Sequence, residues 1–181
     1  PVTEKEKKYF TLVLKGHLNL AAAKFRYGCT DLNLDYIARE PLWQLGEDYN
    51  HGTGHGVGYL GNIHEAPIGF RWKATRDAMC EIEPGMVITD EPGIYIEGSH
   101  GIRIENELLV CAGEKNEYGQ FLYFEPLTFV PIDLDALRPE LMTEEEKQLL
   151  NAYHQSVYEK ISPYLEAEEK EWLKEYTRPV K

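Results

Sequence analysis

The segment Met86 to Val110, MVITDEPGIYIEGSHGIRIENELLV, limits the folds open to this chain more than any other stretch. Apolar and polar residues alternate on both sides of the turn cluster Glu97-Gly98-Ser99-His100. That period of two predicts strands over 85–96 and 101–110, folded as an antiparallel hairpin about Gly98. Glu91 and Glu105 stand equally far from Gly98, so the hairpin makes them cross-strand neighbours with Cβ atoms about 5 Å apart. Ile88, Ile94 and Ile96 have the opposite parity to Glu91, and Ile102 and Ile104 the opposite parity to Glu105. The apolar side chains therefore share one face, and both glutamates share the other with Arg103. Pro92 holds Glu91 extended, because a residue before proline avoids the α region. Adjacent carboxylates repel unless a proton, an arginine or a metal ion lies between them. Two readings follow: an exposed hairpin salt-bridged through Arg103, or a carboxylate pair built for a metal.

The charge distribution favours the second. Between Glu81 and Glu107 seven acids face one base, a net −6 that is half of the chain's −12. Carboxylates interleaved with Val, Ile, Leu and Tyr are costly to bury unless paired or bound to a cation. An acidic chain with a pI near 5.0 argues against a nucleic-acid groove or an anionic membrane surface as the main partner. No run of 18 apolar residues predicts a bilayer-spanning helix. Three cysteines, Cys29, Cys80 and Cys111, without CxxC spacing, do not make a disulfide framework and suit a reducing compartment.

The second informative stretch is HGTGHGVG, residues 51–58. His51 and His55 have the i, i+4 spacing that binds one zinc on a helix. Four glycines in eight residues exclude that helix. In an extended segment the two histidines face one side, roughly 13 Å apart, and line a cleft without sharing one ion. One can be a ligand and the other a residue that handles substrate or a proton; plain loop residues fit equally well. His64, in GNIHEAP, can return to the same cleft or lie in a turn. His17 and His154 fall on helix faces and read as structural, and His100 as exposed. One histidine with several carboxylates forms an oxygen-rich set that favours Mn²⁺, with Co²⁺ and Zn²⁺ as alternatives. A carboxylate bridging two ions would make a dinuclear hydrolase. A GxSxG nucleophile motif is absent from the sequence.

Elsewhere the period is helical. Thr3 and Glu6 have capping-box spacing, and Phe10, Val13, Leu14, His17, Leu18 and Ala21 form one face, predicting a helix from Thr3 to about Tyr27. A second is predicted from Asp31 to Leu45, with Pro41 inside it. Residues 120–132 read as a strand pair or one long bent strand. Thr143-Glu144-Glu145-Glu146 caps a helix that Pro163 breaks, and a last helix runs from about Tyr164 to Tyr176. Helices, then strands, then helices in blocks indicate an α+β fold with an antiparallel sheet. We read 1–181 as one domain with a C-terminal helical extension over 143–181.

These strings resemble the catalytic domain of aminopeptidase P, a pita-bread metallopeptidase related to prolidase, creatinase and methionine aminopeptidase. The resemblance runs from EKEKKYFTLVLKGH through DYNHGTGHGVGYLGNIHE and the hairpin to LYFEPLTFVPID and LLNAYHQSVYEKISPYL. The FEPLTFVPID stretch and the last helices are similar to the larger, cytosolic branch. The resemblance implies a pita-bread fold, a curved antiparallel sheet with flanking helices, incomplete at its N-terminus. It implies His55, Glu91 and Glu105 as metal ligands, with Glu105 bridging two divalent ions and Glu91 also handling the proton of the attacking water. It implies His51 and His64 at the substrate and the reacting carbonyl, and Arg103 orienting the carboxylates. The implied reaction releases the N-terminal residue of peptides with proline second, in a cytoplasmic homodimer. The family completes its site with two aspartates in a D-G-G-x-Y…D-x-T-R-T motif; Asp31, Asp35 and Asp48 lie in helical sequence and do not match it. Three of five ligands are then present, so the isolated chain is expected to bind metal weakly and to be inactive. The alternatives are a non-catalytic pita-bread module that binds peptides or proteins, or prolidase.

Overall fold

A computed structural model describes residues 2–74 and 79–181; Pro1, where the family-like start of the sequence begins, lies outside the described residues. The described chain divides into two compact units: residues up to Leu12 with Thr128–Lys181, and Val13–Leu127. Helix α1 (Glu4–Ala21) contributes to both.

Val13–Leu127 holds the sheet. Its elements are β1 (Phe25–Arg26), α2 (Asp31–Trp43), β2 (Gly54–Val57), β3 (His64–Phe70), β4 (Val87–Asp90), β5 (Gly93–Ile96), β6 (His100–Arg103), β7 (Asn106–Asn116) and β8 (Gly119–Pro126). Six strands form a wholly antiparallel sheet in the order β1-β8-β7-β4-β2-β3, and β5 and β6 form a separate ribbon. Leu20 and Leu34 from the helices pack with Phe70, Ile88, Leu108 and Phe124 from the strands in one buried cluster. The glycine spacing of HGTGHGVG has a packing cause here. β2 runs so close to β4 that a Cβ on Gly54 would overlap the carbonyl oxygen of Thr89.

The hairpin register is as the sequence predicts. Val87 faces Leu109 and Asp90 faces Asn106 in one ladder; Gly93 faces Arg103 and Ile96 faces His100 in the other. Both ladders are symmetric about Gly98, which takes a left-handed φ of +70° at the turn. The two expected strands are nevertheless interrupted. Pro92 has no N–H to give a ladder, and the Glu91 amide donates instead to the Thr53 carbonyl at 2.8 Å. The ladder therefore changes sheets at Glu91 and Glu105.

One expectation needs correction. The first helix stops at Ala21 rather than near Tyr27. Phe25 and Arg26 pair with Leu122 and Phe121 of β8, and the Phe25 ring packs 5.0 Å from that of Phe124. Burial of that aromatic against the sheet overrides the helical period.

The other unit contains α3 (Glu144–Ile161) and α4 (Ala167–Tyr176). Thr143 and Glu146 form the expected capping box. Leu150, Val157 and Leu173 are its buried apolar contacts. Tyr153 Oη accepts from the Val130 amide at 3.1 Å, and His154 Nε2 accepts from the Ile132 amide at 2.9 Å. These bonds tie the irregular segment after β8 to α3. Among the described residues no helix is long and apolar enough to cross a membrane.

His154 is fully buried. Burial, with Arg178 acting in the same direction, pushes its imidazole down to about 4. The unfolded chain then binds the extra proton at higher pH than the folded one. The stability from the neutral ring is complete above its ordinary value of 6.5 and is lost as pH falls toward 4, by up to about 3 kcal/mol. Urea midpoints measured across that window are expected to fall with pH, and His154→Gln is expected to flatten the dependence.

Candidate metal centre

The loop that carries His51 is held by a buried cation. Asp35 and Arg39 are one turn apart on α2, and both side chains have 0% exposure. Arg39 Nε donates to Asp35 Oδ2 at 2.6 Å, and Nη1 donates to Asp48 Oδ1 at 2.7 Å and to the Tyr49 carbonyl at 2.8 Å. Nη2 donates to the His51 carbonyl at 2.8 Å. The guanidinium also lies over the Tyr49 ring, 3.9 Å from its centroid. The other Asp35 oxygen accepts from Thr53 Oγ1. One guanidinium thus fixes residues 48–51 by hydrogen bonds to side chain and backbone together, and Asp35 holds Thr53 beside them.

His51 and His55 each face a neighbouring carbonyl through Nδ1: Gly52 at 2.7 Å and Gly56 at 2.8 Å. A carbonyl only accepts, so Nδ1 carries a proton in both rings. The Nε2 of His51 is buried and without a hydrogen-bond partner among the described residues. Its ring lies between those of Tyr49 (4.6 Å) and Tyr95 (5.4 Å). Burial lowers its affinity for a proton, and Arg103 adds to that effect while Glu91 opposes it. His51 is therefore a neutral acceptor aimed into the site.

The Nε2 of His55 stands 3.1 Å from Glu91 Oε1. Two electron-pair donors at that distance need a shared cation, either a ring proton or a metal ion. Thr89 sets the pair: its Oγ1 accepts from the His55 amide at 2.9 Å and donates to Glu91 Oε1 at 2.8 Å. Glu91 is 7% exposed, and its second oxygen lies 3.5 Å from Arg103 Nη1. Glu105 is more exposed, yet partial burial and then the like charge of Glu91 raise its carboxyl above the ordinary carboxylate range. His64 opens β3, with its ring centroid 4.2 Å from that of His55. The structure thus brings His55, Glu91, Arg103 and His64 together and sets Glu105 within electrostatic reach. Among the described residues no three His, Cys, Asp or Glu side chains close on one ion position.

The donors suit a hard or borderline dication, and the 3.1 Å approach of His55 Nε2 to Glu91 Oε1 is the contact that a metal ion, like a ring proton, would satisfy. Sequence reasoning missed Arg39, Tyr49 and Thr89. The Asp35–Arg39 spacing on α2 was the available signal, because i, i+4 pairs meet on a helix.

The chain belongs to metallopeptidase family M24, whose model matches residues 1–112, with the C-terminal region of peptidase M24 matching 120–180. Its fold is the pita-bread fold of that family. It is 47% identical over 184 residues to the protein named "Probable Xaa-Pro aminopeptidase P" from Pyrenophora tritici-repentis, and 45% identical to that from Blastomyces gilchristii. Each match covers 98% of this chain and 30% of the relative. The crystal structure of X-prolyl aminopeptidase from Caenorhabditis elegans, described as a cytosolic enzyme with a di-nuclear active site, matches with a TM-score of 0.90 and 39% identity. That match covers 99% of this chain and 30% of that one. Prolidase from Pyrococcus furiosus matches with a TM-score of 0.57 and 32% identity, over 72% of this chain and 34% of that one. The chain thus spans about 30% of the length of the curated relatives it matches.

Replacing Arg39 by methionine removes the cation between Asp35 and Asp48 and leaves a buried charge uncompensated. The expected cost is about 3–5 kcal/mol in urea denaturation. Arg39→Lys is expected to recover only part of it, because one ammonium cannot reach all four acceptors.

Proposed function

We propose that the protein carrying this chain is a metal-dependent aminopeptidase that releases the N-terminal residue from peptides with proline at the second position. The observation that carries the reading is His55 Nε2 set 3.1 Å from the Glu91 carboxylate, with Glu105 nearby. The substrate class is supported by relatives named for Xaa-Pro cleavage that match over nearly the whole chain. Prolidase is supported less, since its structure matches a smaller share of this chain.

In this reading His55, Glu91 and Glu105 hold divalent ions. When bound, such ions polarise the scissile carbonyl and acidify water. The remaining work belongs to the chain's own side chains. Glu91 takes the proton of the attacking water and returns it to the departing proline nitrogen. Arg103 orients the Glu91 carboxylate. His51, neutral and with a buried Nε2 that lacks a partner among the described residues, accepts a hydrogen bond from the bound peptide. His64, with its ring 4.2 Å from that of His55, stands at the substrate and the reacting carbonyl. The oxygen-rich donor set favours Mn²⁺, with Co²⁺ and Zn²⁺ as alternatives. Peptide is the proposed partner, in preference to nucleic acid or membrane, because the chain is strongly acidic. A cytoplasmic setting is supported by the description of the nematode enzyme. A homodimer completes the proposal as a family-based expectation, and for the 181-residue chain by itself we expect no hydrolysis.

In the protein as its gene encodes it, release of arginine from an Arg-Pro-Pro peptide is expected to stop on chelation and to return with Mn²⁺. Glu91→Gln is expected to lower kcat by about 10²- to 10⁴-fold. Full activity after exhaustive chelation, or in Glu91→Gln, would overturn the proposal.

A further inference from the structure

His17 is absent from the machinery above, yet it touches the ends of both strands that adjoin the glutamates. It lies on α1 with 2% exposure. Its Nδ1 faces Asp90 Oδ2 at 3.1 Å, within ion-pair distance though off the hydrogen-bond line. Its Nε2 lies 3.1 Å from Asn106 Nδ2. An amide nitrogen donates, so Nε2 accepts and the neutral ring carries its proton on Nδ1, opposite the Asp90 carboxylate.

The position of these partners gives the contact its meaning. Asp90 and Asn106 are the facing residues at the end of the β4–β7 ladder. Asp90 directly precedes Glu91, and Asn106 directly follows Glu105. Beyond that rung the ladder is interrupted at Pro92, and β5 and β6 belong to another ribbon. At the two glutamates the ladder gives way to single backbone bonds, from the Glu91 amide to the Thr53 carbonyl at 2.8 Å and from the Ile104 amide to the Pro92 carbonyl at 3.4 Å. A single imidazole reaching from the helix spans the last rung and supplies a side-chain restraint at that point.

We propose that His17 is a positioning residue for the metal centre, bridging Asp90 and Asn106 so that Glu91 and Glu105 are held at a fixed separation. The proposal rests on the reading of those glutamates as ligands. Groups behind metal ligands orient them, and their loss weakens metal binding by about 10- to 100-fold. His17→Phe keeps the ring volume and removes both nitrogens. Asp90→Asn keeps an oxygen that can accept from Nδ1.

The test is a calorimetric Mn²⁺ titration of the gene-encoded protein, with the melting temperature of each metal-free variant measured alongside. His17→Phe is expected to bind Mn²⁺ about tenfold more weakly or worse, at a fall in melting temperature no larger than that of Asp90→Asn. If His17→Phe binds as the parent does while Glu91→Gln and Glu105→Gln do not, His17 has no positioning role. If Glu91→Gln and Glu105→Gln also bind normally, the ligand reading itself fails. If His17→Phe does not fold, ¹⁵N spectra of the unaltered protein decide. The Nδ1–H tautomer, with a His17 shift on saturation with Zn²⁺, supports the bridge; the Nε2–H tautomer, or no shift, overturns it.

Discussion

A guanidinium with no exposed surface is expensive to bury, and Arg39 is tolerated because two carboxylates and two carbonyls satisfy it. The candidate site depends on this arrangement. Residues 48–53 have little regular structure of their own, and Arg39 gives them one conformation by holding the Asp48 side chain and the Tyr49 and His51 carbonyls at once. That conformation presents the Thr53 carbonyl to the Glu91 amide. The same cluster therefore supports His51 directly and Glu91 through one backbone bond. The cation is placed by α2, so helix packing and site geometry are linked by a single side chain.

The second constraint is the symmetry of the strands about Gly98. One register runs through two ladders that belong to different sheets. Where the ladder changes sheets, Glu91 and Glu105 fall between the Asp90–Asn106 and Gly93–Arg103 pairs, outside both ladders. Side chains take over: Thr89 and Arg103 for Glu91, and His17 across the adjacent rung.

Much of this was legible in the residues. The hairpin centre was readable because the turn cluster and the alternation agree, and the Thr143 cap because its box is local. The glycine run excluded a helix, although its cause, the close passage of β2 and β4, is a tertiary fact. The end of the first helix was not legible, since Phe25 continues the helical period and only the partner strand β8 draws it away. Asp35 and Asp48 were set aside as candidate ligands, and their role with Arg39 depends on a loop closure that spacing alone does not show. His17 read as structural because its meaning lies in which rung it touches.

The central claim is that His55, Glu91 and Glu105 together hold a divalent cation. Anomalous diffraction from crystals of the gene-encoded protein grown with Mn²⁺, with data at the manganese edge, tests it most directly. The account expects an anomalous peak within ligand distance of His55 Nε2 and of carboxylate oxygens of both Glu91 and Glu105. A fully loaded crystal whose peaks lie elsewhere, with His55 still in direct contact with Glu91, would contradict it.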